Sequence, residues 1–227
     1  FGTSGTASTA MSGVDLALWD LKGKLLGQPV YSLLGGPVRE SITCYATSDD
    51  LDWSQELGFT KFKITNPAHY SESDAGIRAV VDHVAQAREQ VGQTRDLMIN
   101  PVMSYNVEFA LRLLEELKPY NLRWFEEPLV PTDAEGLAEL RRSAPWVAIA
   151  TGEDHHGRHA FLNLVEKRAV DIIQPDLSWG GGLTEAMKVH VIGEMAGIAT
   201  IPHGGANTPF GQHFAMAATE SPMAEFW

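Results

Sequence analysis

Seven polar side chains close apolar runs along this chain, at intervals of about one strand plus one helix. They are Lys63, Asn100, Glu126, Glu153, Asp176, His203 and Glu225, separated by 37, 26, 27, 23, 27 and 22 residues. Polar groups at the end of strand after strand are what a parallel barrel uses to build one site from many strands. The spacing therefore constrains the fold and the position of a site together.

The runs between these residues fill in the pattern. Short apolar, often β-branched segments at 42–47, 61–65, 97–100, 122–126, 147–153, 171–176, 199–203 and 223–226 read as strands. Helical periodicity falls between them, at about 50–58, 73–92, 106–118, 133–143, 157–168, 184–196 and 211–218. Residues 1–11 read as loop, and Ser12 as the cap of a first helix over 13–27, with Val14, Leu18, Leu21, Leu25 and Leu26 on one face. Eight strands alternating with helices, joined too briefly for antiparallel pairing, predict an α/β fold of the TIM-type (β/α) barrel class. The 227 residues suit one such domain, with no linker and no second domain. A doubly wound nucleotide fold is the competing architecture. Its Gly-x-Gly-x-x-Gly fingerprint fails at Gly180-Gly181-Gly182, where Leu183-Thr184-Glu185 follow. These glycines read as a tight turn into a helix, able to offer backbone N–H groups to an anion.

Charge and composition exclude several roles. Lys and Arg number 17 against 29 Asp and Glu, a net charge of −12, which repels a phosphate backbone and argues against nucleic-acid partners. No apolar run approaches the roughly 20 residues of a membrane span. The opening Phe1-Gly2-Thr3-Ser4-Gly5-Thr6 lacks the basic and apolar parts of a signal peptide, and no initiator Met precedes it, as expected of a fragment or processed product. Cys44 is the lone cysteine, so a reducing cytoplasm is the expected compartment.

Three groups carry candidate chemistry. Asn100, Glu126 and Glu153 end successive strands, and oxygen donors so placed suit a hard divalent cation. Any one of them alone is more often a solvated loop residue. His203 follows Asp176 by one βα unit, close enough for the carboxylate to fix the imidazole tautomer; a backbone carbonyl is the ordinary partner for such a histidine. Lys61 and Lys63 share a strand face by period two. On an inward face their mutual repulsion would free one as a base; on an outward face they are simply solvated. A lysine and a histidine flanking a cation suit proton abstraction α to a carboxylate, with the metal and a protonated Glu225 stabilising the developing oxyanion.

At larger scale the chain resembles the enolase superfamily, mandelate racemase subgroup. The residues that carry the resemblance are Ala10-Met11-Ser12-Gly13-Val14-Asp15-Leu16-Ala17-Leu18-Trp19-Asp20-Leu21-Lys22-Gly23-Lys24, Trp124-Phe125-Glu126-Glu127-Pro128, Thr151-Gly152-Glu153, Gln174-Pro175-Asp176, Pro202-His203-Gly204 and Ser221-Pro222-Met223-Ala224-Glu225-Phe226. Within the subgroup it is most similar to acid-sugar dehydratases such as the rhamnonate dehydratases. The resemblance implies Mg2+ on Asn100, Glu126 and Glu153, Lys63 as a base tuned by Lys61, the Asp176–His203 pair as the other acid/base, and Glu225 beside the substrate carboxylate. It implies loss of the α-proton of a sugar acid, then of the β-hydroxyl with help from His203, to a 2-keto-3-deoxy acid, in a homo-oligomer. It also implies that an N-terminal capping domain is absent from this chain.

The chain departs from the family pattern at Asn100, where Asp is usual and one ligand charge is lost, at the paired lysines, and at Asp154-His155-His156 after Glu153. His155 there either takes the polar role of the family's histidine or is solvated. A racemase, epimerase or cycloisomerase would use the same groups. A hydrolytic metal barrel on His155, His156 and His159 wants a His-x-His on the first strand, which 42–47 lacks. A catalytically silent barrel is the reading from another class.

Overall fold

The structure, a computed structural model, describes residues 4–227. Phe1, Gly2 and Thr3, the start of the expected leading loop, lie outside the described residues. Strands and helices alternate as the spacing predicts: β1 (Cys44–Thr47), α3 (Leu51–Glu56), β2 (Lys61–Thr65), α4 (Ser73–Val91), β3 (Asp96–Asn100), α5 (Val107–Leu117), β4 (Trp124–Glu126), α6 (Ala134–Ser143), β5 (Ala148–Thr151), α7 (Arg158–Glu166), β6 (Ile172–Ile173), α8 (Gly182–Met195), β7 (Ala199–Thr200), α9 (Pro209–Ala217) and β8 (Ala224–Phe226). Helices α1 (Thr6–Leu26) and α2 (Val30–Leu33) precede them. Strands consecutive in sequence are neighbours within each of two units, β1-β2-β3-β4-β5 in one and β6-β7 in the other.

The chain divides into two compact units. The second unit, Tyr45–Thr151 with Lys167–Asp171, holds the parallel pairs from β1 to β5. Its strand residues Phe62, Ile64, Leu97, Ile99, Trp124, Phe125 and Ile149 are buried, as parallel strands covered on both faces require. Helix α5 buries Phe109, Ala110, Leu113, Leu114 and Leu117 on one stripe, and Asn106 caps it by accepting from the Phe109 N–H at 2.9 Å. Asp50 and Asp133 cap α3 and α6 in the same way. Arg88 of α4 is buried and donates to four backbone carbonyls, those of Gly92, Arg95, Tyr120 and Asn121. It ties the end of α4 to the approach to β4.

The first unit comprises the chain up to Cys44, Gly152–Glu166 and Ile172–Trp227. Here β6 pairs parallel with β7, and the Ala224 N–H of β8 donates to the Thr43 carbonyl. Leu16, Val30, Leu177, Leu183, Ala186, Phe214 and Ala218 form a core cluster.

Helix α1 corrects the sequence reading twice. It begins at Thr6, inside the expected loop, and Ser12 is interior to it, donating to the Ser8 carbonyl at 2.9 Å. The inward face carries Ser8, Ser12, Leu16 and Gly23, while Met11, Val14, Leu18, Leu21 and Leu25 are exposed. The reason lies at the start of α8, whose first N–H groups need acceptors. Ser12 Oγ accepts from Gly181 N–H at 2.8 Å, and Asp15 Oδ2 from Thr184 N–H at 2.9 Å. Trp19 donates to Thr184 Oγ1 at 2.8 Å. A Cβ on Gly182 would lie 2.4 Å from Asp15 Oδ2, so this glycine admits α1 to the turn. The anion at this helix N-terminus is the chain's own Asp15.

Candidate active site

In the second unit, register sorts the inward residues of β2 and β3 into layers. Lys61 pairs with Asp96, Lys63 with Met98 and Thr65 with Asn100. Thr65, not Lys63, is the C-terminal residue of β2. Lys61 stands at the opposite end of the strand and forms an ion pair at 2.5 Å with Asp96, the first residue of β3. The two ammonium groups thus share a face but pair with different carboxylates, Lys61 with Asp96 and Lys63 with Glu126. Lys63 is buried and bonds Glu126 Oε1.

Glu126, the last residue of β4, is fully buried. An interior carboxylate must be paired and hydrogen-bonded. Besides Lys63, it accepts from Asn100 Nδ2 at 2.9 Å on Oε1 and from Trp124 Nε1 at 2.7 Å on Oε2. Trp124 reaches it because residues two apart on a strand share a face. Asn100 Oδ1 accepts from the Val102 N–H at 2.8 Å, holding a turn in which Val102 and Met103 have positive φ. Glu127, the next residue, leaves the strand with φ 43° and stays buried, accepting from Thr151 Oγ1 at 2.6 Å.

In the first unit, His203 and Asp176 meet: His203 Nδ1 lies 2.7 Å from Asp176 Oδ2. Asp176 Oδ1 accepts from the Ser178 and Trp179 N–H groups at 2.6 and 2.8 Å, which fixes the carboxylate. His203 Nε2 is 3.9 Å from Glu153 Oε2. Burial pushes the imidazole pKa down, but the Asp176 hydrogen bond and the charges of Glu153 and Glu225 outweigh it, and the net shift is upward. Glu225 is buried and accepts from the Gly204 N–H at 2.8 Å. Gly152, which sets up Glu153, has φ 149°, and a Cβ there would come within 2.6 Å of the Gln174 nitrogen. His155 is buried beside Phe161, with ring centroids 5.7 Å apart, so it is not solvated.

Sequence reasoning missed the aromatic surroundings. Trp179 and Trp227 each stand 5.0 Å from the His203 ring, tilted by 41° and 36°. Indoles at this range stabilise a cationic imidazole. These residues, with Asp176, His203 and Gly204, line a cavity of about 200 Å³. Their signal was proximity: Trp179 lies three residues after Asp176, and Trp227 two after Glu225. Among the described residues, no three His, Cys, Asp or Glu side chains are gathered as a metal cluster. Glu126 and Glu153, just past β5, are buried carboxylates, the oxygen-donor type that a hard cation takes. Asn100 turns its N–H group, not its oxygen, toward Glu126.

Residues 49–227 match the family model described as enolase C-terminal domain-like. The chain belongs to this family. Residues 2–35 match the mandelate racemase / muconate lactonizing enzyme N-terminal domain, so α1 and α2 carry part of that domain's pattern. An L-rhamnonate dehydratase of Saccharopolyspora erythraea is 41% identical over 227 residues, covering 100% of this chain and 58% of the relative. The crystal structure of rhamnonate dehydratase from Gibberella zeae complexed with Mg matches with a TM-score of 0.96 at 36% identity, over 100% of this chain and 55% of that one. A racemase from Streptomyces coelicolor with bound magnesium matches with a TM-score of 0.90 at 30% identity, over 99% of this chain and 68% of that one. The chain thus spans a little over half the length of its dehydratase relatives. No described helix is long and apolar enough to cross a membrane.

Proposed function

We propose that this family member acts on sugar acids as a magnesium-dependent dehydratase, removing the α-proton and then the β-hydroxyl to leave a 2-keto-3-deoxy acid. The observation that carries the proposal is the His203–Asp176 pair at 2.7 Å. Asp176, itself held by two backbone N–H groups, fixes Nδ1 and leaves Nε2 to take the α-proton. The raised basicity of His203 keeps that proton available for the departing hydroxyl. Glu225, anchored by Gly204, is the proposed neighbour of the substrate carboxylate. Glu126 and Glu153 are each proposed as a magnesium ligand, and magnesium when bound supplies a Lewis acid for the substrate carboxylate. The Lys63 ammonium donates a hydrogen bond to Glu126 and acts as its charge partner. Lys61, at the far end of β2, serves the strand.

The 41% identical dehydratase supports this reading. Racemisation needs an acid/base group for each face of one carbon, and Lys63, the second candidate, is committed to Glu126. The proposed substrates are small carboxylates, handled by a homo-oligomer in the cytoplasm. The test is incubation of the purified chain with L-rhamnonate and a panel of aldonic and aldaric acids, with Mg2+ in deuterated water. A 2-keto product that disappears in His203→Asn supports the proposal. No product and no α-deuterium exchange with any acid would end it and favour a silent barrel.

A further inference from the structure

The amide of Asn100 has only one orientation open to it. A backbone N–H can only donate, so the atom facing Val102 N–H at 2.8 Å must be the Asn100 oxygen. The NH2 group is thereby aimed at Glu126 Oε1, 2.9 Å away. We infer that Asn100 is not an oxygen ligand here but a positioning residue, which donates to Glu126 and holds that carboxylate in place. Three donors then serve Glu126: the Lys63 ammonium, the Trp124 indole and the Asn100 amide. Together they stabilise the buried charge of Glu126. An aspartate at this position would keep the oxygen that receives Val102 N–H. Its other oxygen would be set against Glu126, a like-charge contact that the single charge of Lys63 does not cancel and that a divalent cation would relieve. The substitution thus exchanges a cation-dependent pair for a self-contained one, and it leaves Glu126 alone as the charged oxygen donor at these two strand ends.

This inference deepens the proposed function and rests on it only for magnesium. The test compares melting temperatures of the wild-type chain, Asn100→Ala and Asn100→Asp, in EDTA and in excess Mg2+. Alanine removes one donor from Glu126; aspartate adds a repelling charge. In EDTA, N100D is expected to melt about 4 °C or more below N100A. In Mg2+ the order reverses, since the ion then meets two carboxylates. N100D melting level with or above N100A in EDTA would overturn the assignment. Absence of any magnesium shift in all three proteins would overturn the metal reading, while the EDTA order still decides this one. If a variant does not fold, solvent exchange of the Asn100 side-chain NH2 in wild-type protein in EDTA decides. Slow exchange supports the bond to Glu126, and exchange as fast as that of exposed asparagines overturns it.

Discussion

Replacing Arg88 with Met tests whether one buried cation organises the second unit. The guanidinium is 2% exposed and donates to Tyr120, Gly92, Arg95 and Asn121 carbonyls at 2.9, 2.8, 2.8 and 3.0 Å. Burial lowers its pKa, with Asp96 acting in the opposite sense, so the charge is held at a cost. Four bonds from a charged donor, at about 1.5 kcal/mol each, contribute roughly 6 kcal/mol. Desolvating the ion offsets several kcal/mol of that. Methionine fills the space but leaves four carbonyls short of a donor, so the net loss is about 3 kcal/mol. For a chain of this size that is about 6–12 °C in melting temperature. Thermal unfolding followed by circular dichroism measures it. Arg88→Lys should recover only part, because a single ammonium cannot span four carbonyls. An Arg88→Met protein that melts within about 2 °C of wild type would show that water satisfies those carbonyls and that the guanidinium is incidental.

Other consequences can be checked on the same footing. His190, buried between Thr200 and Thr219, has its pKa lowered mainly by desolvation, against the raising charges of Glu194 and Glu220. Its contribution to stability is therefore full above the unfolded value of about 6.5 and lost as pH falls below it. The urea midpoint should drop between pH 7.5 and 5.5, and drop less in His190→Gln; equal drops would remove His190 as the cause. Asp15→Ala strips the acceptor from Thr184 N–H and should cost about 1 kcal/mol, seen as a fall of about 2–4 °C in the melt. Gly182→Ala, forced against Asp15 at φ 83°, should cost more than Asp15→Ala does. On α1, Leu25→Glu should change stability by no more than about 0.5 kcal/mol, whereas Leu16→Ala should cost about 2–5 kcal/mol. Chemical denaturation that ranked them the other way would restore the face read from sequence.

Strands such as β3 and β5 were legible because a buried parallel strand writes itself as a near-continuous apolar run, whereas β2 is interrupted by Lys61 and Lys63 and was read from its flanking turn signals at Gly58 and Asn66-Pro67. Helix α5 shows the signal at its clearest, with its cap at Asn106 and its stripe from Phe109 to Leu117. Helix α1 shows where the rule fails. Its apolar stripe is real, but periodicity reports only that a face exists, not which neighbour it meets. The demand of α8 for oxygen acceptors at Gly181 and Thr184 turned the Ser12 and Asp15 side inward. That demand comes from residues far along the chain, and no local window contains it.

Within the candidate site, what could be read depended on how far each residue reaches. The Asp176–His203 contact was one of two readings open in the sequence, beside a backbone carbonyl partner; each residue lies three beyond its strand, β6 and β7, and those strands are paired. The partners of the lysines were not legible, because alternation fixes a face and says nothing of height along the strand. Lys61 and Lys63 lie two residues apart, about 7 Å of strand. That is enough to give one of them Asp96 at the start of β3 and the other Glu126 at the end of β4. The register pair Thr65↔Asn100 marks the true C-terminal layer. Asn100 was conspicuous in the sequence for the charge it lacks. Its role depends instead on the donor it presents, which becomes visible only once Val102 N–H fixes which end of the amide faces Glu126.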